Sequence, residues 1–208
     1  TEPVSFNYRI LGNPQLDYLH FFVYGLGLVA LQQGLLLSIA ASVFTHRRQE
    51  RFTLLPASMR WIISSGIYFT LGLVSYALCL LVGHHFFFLP LKGSLCEHIA
   101  ISGAFLFCLA QVGGLIACLA KDELLFSRIS IFYTVPAFML SGYTWPLEAM
   151  PLGIQILGYI SPFTYFAPTV RQLCLNGYSS SLYSNTAILF MIGLVSLPFV
   201  CKVYAKKN

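Results

Sequence analysis

Five long stretches of this chain contain no Asp, Glu, Lys or Arg: Leu19–Phe44, Ile62–Val82, Ile99–Ala120, Ile129–Trp145 and Ser184–Cys201. A helix needs about 20 mostly apolar residues to cross a bilayer, and at that depth the backbone must satisfy its own hydrogen bonds. Runs of this kind predict transmembrane helices. The fourth is shorter and holds Pro136, which predicts a kink. Composition agrees, since only 9% of the 208 residues are charged against roughly 25% in soluble domains. The predicted fold is therefore an all-α membrane protein with its surface in lipid. Its spans lie at about 19–44, 62–82, 99–120, 129–145 and 184–201 of a transmembrane domain over 19–208.

Between the fourth and fifth runs, residues 146–178 are apolar but broken by Pro146, Pro151, Pro162 and Pro168. The pieces are too short to span, and segments of this length read as re-entrant or interfacial helices. A Pro-broken helical hairpin that enters and leaves by one face is expected here. The basic residues fix the orientation, because Lys and Arg concentrate in cytoplasmic loops. Arg47, Arg48, Arg51, Arg60, Lys121, Arg128, Lys202, Lys206 and Lys207 fall on one side, while Arg9, Lys92 and Arg171 fall on the other. The link over 45–61 and the C-terminus are thus expected in the cytoplasm, with the hairpin and residues 1–18 outside. An external start without a signal-peptide pattern implies an upstream span, six in a parent protein, and an external domain that ends at residues 1–18.

The net charge of +5 is spread over these clusters, so it points to membrane topology and not to nucleic acid. No Walker A pattern, HExxH or GxSxG occurs, and the apolar runs hold no carboxylate. Nucleotide hydrolysis and intramembrane proteolysis both lack their residues. Cys79, Cys108, Cys118 and Cys201 lie in or beside apolar runs, where free Cys packs as a small hydrophobe. Cys96 and Cys174 share the outer side, and a disulfide between them is open at this point. His84, His85, Glu97 and His98 have metal-binding side chains without a tight ligand spacing, so no metal site is assigned. Trp61, Phe86, Phe87, Phe88, Trp145 and Tyr183 are expected to form an interfacial aromatic belt.

The segment SGYTWPLEAMPLGIQILGYISPFTYFAPTVRQLCLNG, Ser141 to Gly177, resembles the signature of the ABC-2 type exporter permeases. The matching positions are Ser141, Gly142, Pro146, Glu148, Met150, Pro151, Gln155, Pro162, Tyr165, Phe166, Arg171, Leu175 and Gly177. Pro168 departs from the pattern. Tyr8–Pro14 resembles the end of that family's external domain. His46–Thr53 resembles its charged cytoplasmic link, with Phe52 in place of the usual Gly.

The resemblance implies a permease that pairs with a second permease half as a homo- or heterodimer. It also implies docking to a separate ATP-binding-cassette ATPase that binds ATP and Mg. It makes Arg47, Arg48, Glu50 and Arg51 the candidate ATPase-coupling link. It makes Pro146, Glu148, Pro151, Pro162 and Arg171 the candidate outer gate. From the residues alone, Glu148 and Arg171 either pair with each other or reach the headgroups. Gln32, Gln33 and Gln111 either join helices or line a pathway. A membrane scaffold without a transport path is the alternative function.

Overall fold

The computed structural model describes residues 18–48 and 55–207, and side chains over 22–46 and 55–206. The described chain is helical, with α1 (Tyr18–Arg48), α2 (Ala57–Phe87), α3 (Leu95–Leu119), α4 (Glu123–Met139), a short 3-10 turn (Leu147–Ala149), α5 (Leu152–Ile160), α6 (Pro162–Asn176) and α7 (Leu182–Lys207). Among the described residues, four helical segments are long and apolar enough to cross a membrane: Phe22–His46, Ala57–Phe87, Leu95–Leu119 and Leu182–Lys206. The fourth predicted span corresponds to α4, whose 17 residues give about 25 Å at 1.5 Å per residue, short of a hydrocarbon core of about 30 Å.

The offset of α4 from the predicted 129–145 has local causes. Its start is fixed by Asp122, whose carboxylate accepts the Leu125 N–H at 2.6 Å, a standard N-cap. Its end is fixed at Ser141 and Gly142. The Ser141 hydroxyl donates to the Phe138 carbonyl at 2.7 Å and accepts the Tyr143 N–H at 3.2 Å. Gly142 then turns the chain at φ +78°, a conformation that glycine adopts without a Cβ penalty. Helix α3 begins on a full capping box between Ser94 and Glu97, which gives Glu97 a structural task.

The core centres on α3, which packs most extensively on α7 and also against α1, α2 and α6. Close approach depends on small residues, as is usual between membrane helices. A Cβ at Gly193 of α7 would stand 2.6 Å from the Phe107 ring and 3.1 Å from the Cys108 backbone. The outer faces are apolar. On α2, Ile62, Ile67, Leu71, Val74 and Leu78 are exposed, and on α7 Phe190, Met191, Val195 and Phe199 are exposed. Apolar surface of this extent requires lipid or a partner in place of water.

The bundle has two distinct ends. At one, the start of α2 meets the end of α7, with the Trp61 and Tyr204 ring centroids 5.4 Å apart. At the other, the start of α1 meets the α2–α3 loop through Tyr24 Oη donating to the Pro90 carbonyl at 3.2 Å. There α6 also meets the start of α7 through Asn185 Nδ2 donating to Thr169 Oγ1 at 2.8 Å.

Candidate functional site

The Pro-broken stretch folds as a helical hairpin. Pro151 precedes α5, Pro162 opens α6, and Ser161 serves both as the C-cap of the first and the N-cap of the second. Proline at a first helical position loses no helical hydrogen bond, so this spacing starts helices as much as it stops them. Pro168 lies inside α6, which continues through it to Asn176. The two helices are tied by Thr164 Oγ1 donating to the Gly158 carbonyl at 2.6 Å and Tyr165 Oη donating to that of Tyr159 at 3.0 Å. With 9 and 15 residues, neither reaches across a bilayer at 1.5 Å per residue.

The hairpin is pressed onto the end of α4. A Cβ at Gly158 would stand 2.6 Å from the Leu140 carbonyl oxygen, a backbone atom. We therefore expect Gly158→Ala to pry α5 from α4 and to lower stability by about 1–3 kcal/mol, the usual range for overpacking. A fall in melting temperature of the detergent-solubilised protein checks this. Gly153→Ala on the same helix, where a Cβ would meet nothing within 4 Å, is the neutral control.

Arg171 of α6 is half-buried and points back to the turn after α4. Its guanidinium donates to the Tyr143 carbonyl and lies over the Tyr143 ring, 5.0 Å from the centroid, a cation–π geometry. Burial pulls its pKa below the ordinary arginine value, and the Tyr143 side chain opposes that shift. Tyr143 is in turn held against α1, where a Cβ at Gly25 would fall 2.6 Å from the Tyr143 ring. Of the two alternatives for Glu148 and Arg171, pairing with each other is not seen among the described residues. Glu148 is exposed on the 3-10 turn, and the guanidinium is engaged by a carbonyl and a ring. Of the candidate gate residues, Pro151 and Pro162 bound the hairpin helices, Pro146 caps the 3-10 turn, and Arg171 fixes the turn that precedes them.

The three glutamines separate into two places. Gln33 Nε2 donates to Ser130 Oγ at 3.0 Å, and Gln33 Oε1 accepts from Thr134 Oγ1 at 2.7 Å. Gln32 Nε2 lies 3.5 Å from Thr134 Oγ1, and its buried Oε1 has no partner. A polar seam thus joins α1 to α4 and borders, through Ser130, a cavity of about 200 Å³ lined by Leu36, Phe126, Tyr133 and Pro162. The signal for it in the sequence is the spacing of Ser127, Ser130 and Thr134 on one face of α4. Gln111 belongs elsewhere, with its Oε1 accepting the Trp61 indole N–H at 2.8 Å.

Trp61 is 0% exposed, which corrects its assignment to the aromatic belt: α3 offers Gly114 beneath its ring and an amide to its N–H. The remaining belt residues Phe86, Phe87, Phe88, Trp145 and Tyr183 are exposed, Phe87 the least of them. Cys96 is exposed and Cys174 buried, both as free thiols, so no disulfide joins them. Cys174 faces the core, and its carbonyl accepts the Lys92 N–H. No group of three or more metal-binding side chains occurs among the described residues. His84 Nδ1 bonds the Leu89 carbonyl, and His98 bridges Tyr76 and the Lys92 carbonyl. Arg47 and Arg48 end α1, while Glu50 and Arg51 lie outside the described residues.

These features define a multi-pass helical membrane protein that carries a short helical hairpin at one end of its bundle. The chain belongs to the ABC-2 type transporter family, whose family model matches residues 11–175. It is 28% identical over 173 residues to the probable multidrug ABC transporter permease YbhS of Escherichia coli K12, covering 79% of this chain and 45% of that protein. It is also 28% identical over 180 residues to the probable multidrug ABC transporter permease YbhR of the same organism, covering 84% of this chain and 49% of that protein. The chain thus spans about half the length of these relatives. No solved structure gives a significant match.

Proposed function

We propose that this chain is the transmembrane part of an ABC-2 type exporter permease, moving a hydrophobic or amphipathic substrate outward when a separate ATPase hydrolyses ATP with Mg. The observation that carries this reading is the family match over residues 11–175, with the hairpin packed on the end of α4 at Gly158 and tied by Arg171 to the turn after it, at the end of the bundle opposite the start of α2. The Lys and Arg asymmetry supports a cytoplasmic link and C-terminus. The hairpin then faces outward and forms the outer gate.

The 200 Å³ cavity is below the roughly 300–1,000 Å³ of small-molecule pockets. An apolar groove of about 600 Å³ between α1 and α2, lined by Gly27, Leu31, Leu71 and Cys79, does fall in that range, and the Gln32–Gln33–Thr134 seam is a further candidate lining of the pathway. A soluble ATPase can touch only cytoplasmic loops, and the link over 45–61 is charged and joins two spans directly.

Glu50→Arg reverses a charge in that link, at a docking surface where a like-charge contact costs several kcal/mol. The expected result is normal insertion and dimer formation with substrate-stimulated ATP hydrolysis reduced about tenfold or more, since each 1.4 kcal/mol is a factor of ten. Gln49→Asn is the control and leaves hydrolysis unchanged. Full stimulated hydrolysis in the assembled Glu50→Arg complex would reduce the link to a membrane anchor.

A further inference from the structure

We infer that Trp61 is a positioning residue that carries displacement of the Arg-rich link into the α3–α7 core, an inference that rests on the proposed coupling of this link to an ATPase. Trp61 sits in the second turn of α2, after Leu55, Pro56, Ser58 and Met59, which are all exposed. It closes the link and is the first buried side chain from residue 55 onward.

Three contacts hold it. An indole N–H can only donate, and it meets Gln111 Oε1 of α3 at 2.8 Å. The six-membered ring covers Gly114, where a Cβ would fall under 3.0 Å from two ring carbons. The ring also packs on Tyr204 of α7 and on Tyr68 of α2, with centroids at 5.4 and 6.3 Å. One rigid side chain therefore touches both helices of the central pair at the end where the link arrives. A close-packed contact without free volume transmits displacement instead of absorbing it.

The hydrogen bond distinguishes positioning from mere packing. Gln111 is fully buried, and its Nε2 has no partner, so the indole bond is what pins this amide, and through it the ring, to α3. Removing one partner leaves a buried polar group unmet, whereas replacing both by apolar groups spares that cost and leaves only the loss of ring volume. The double replacement Trp61→Phe with Gln111→Leu keeps an aromatic ring and an apolar neighbour but unpins the ring from α3. On this inference it leaves the fold intact and breaks the connection.

The test uses the full-length protein co-purified with its ATPase and reconstituted. It carries Glu148→Cys as an exposed reporter on the outer turn, in a Cys96→Ser background. The rate of reaction with a membrane-impermeant maleimide is measured without nucleotide and after trapping with ATP and vanadate. The parent rate is expected to change by about fivefold or more, the lower range of coupling between sites. In Trp61→Phe and in the double replacement the change falls below about twofold, while assembly and basal ATP hydrolysis match the parent.

Variants that respond as the parent does would overturn the inference. So would a response lost only in proportion to lost assembly or hydrolysis, which marks a packing role. A parent that assembles and hydrolyses ATP without any change at Glu148→Cys refutes the exporter reading itself, and the inference with it.

Discussion

Gly114→Ala should be among the most damaging single-methyl changes in the molecule. The added Cβ would sit under 3.0 Å from the Trp61 ring carbons Cη2 and Cζ2, and the ring is fully enclosed by α3, Tyr68 and Tyr204. With nowhere to retreat, the indole must push α2 off α3 or leave its rotamer. Overpacking of this kind costs about 1–3 kcal/mol, and here it also strains the bond to Gln111, worth about 1 kcal/mol. Melting temperature should fall clearly. Trp61→Phe removes both clashing carbons and should restore part of the loss in the Gly114→Ala background. Gly66→Ala, where a Cβ would meet nothing within 4 Å, should leave stability unchanged.

Arg171→Met should be comparably severe for a different reason. The substitution keeps much of the length and the apolar stem but removes the donor to the Tyr143 carbonyl and the cation over its ring. A hydrogen bond from a charged donor contributes about 1.5–3 kcal/mol, and a partly desolvated cation–π contact adds up to about 2 kcal/mol. The turn after α4 should loosen, and with it the seat of the hairpin. We expect a lower melting temperature and faster proteolysis within residues 141–150. Arg171→Lys retains the charge without the planar fork and should recover only part of the stability.

Much of the fold was legible because a bilayer allows few solutions. Long uncharged runs had to be helices, and the start of α2 and the end of α7 meet at one end of the bundle. The sequence was less informative where a boundary depends on one side chain. The Asp122 cap and the left-handed Gly142 moved α4 toward the N-terminus of its apolar run, because helix ends follow hydrogen bonds while hydropathy follows lipid.

The hairpin was visible in its proline spacing, but the partner of its arginine was not. Glu148 is the obvious mate for Arg171 on charge alone, yet the guanidinium donates to a backbone carbonyl, which composition cannot rank. Trp61 was misread for a similar reason. Tryptophan near a span end usually marks the interface, and only its position over Gly114 and against Gln111 shows that this one is buried. The seam of Gln33 with Ser130 and Thr134 was half visible: the glutamines stood out, and their small hydroxyl partners on α4 did not.

On the function proposed above, this chain forms part of an ATP-driven outward permease. The most direct measurement is uptake of the amphipathic dye Hoechst 33342 and of a fluorescent phospholipid into inside-out vesicles carrying the full-length protein assembled with its ATPase. Accumulation that requires hydrolysable ATP and falls in the Glu50→Arg complex is the predicted result. An assembled, ATP-hydrolysing complex that moves neither probe in either direction would contradict the account and favour a membrane scaffold.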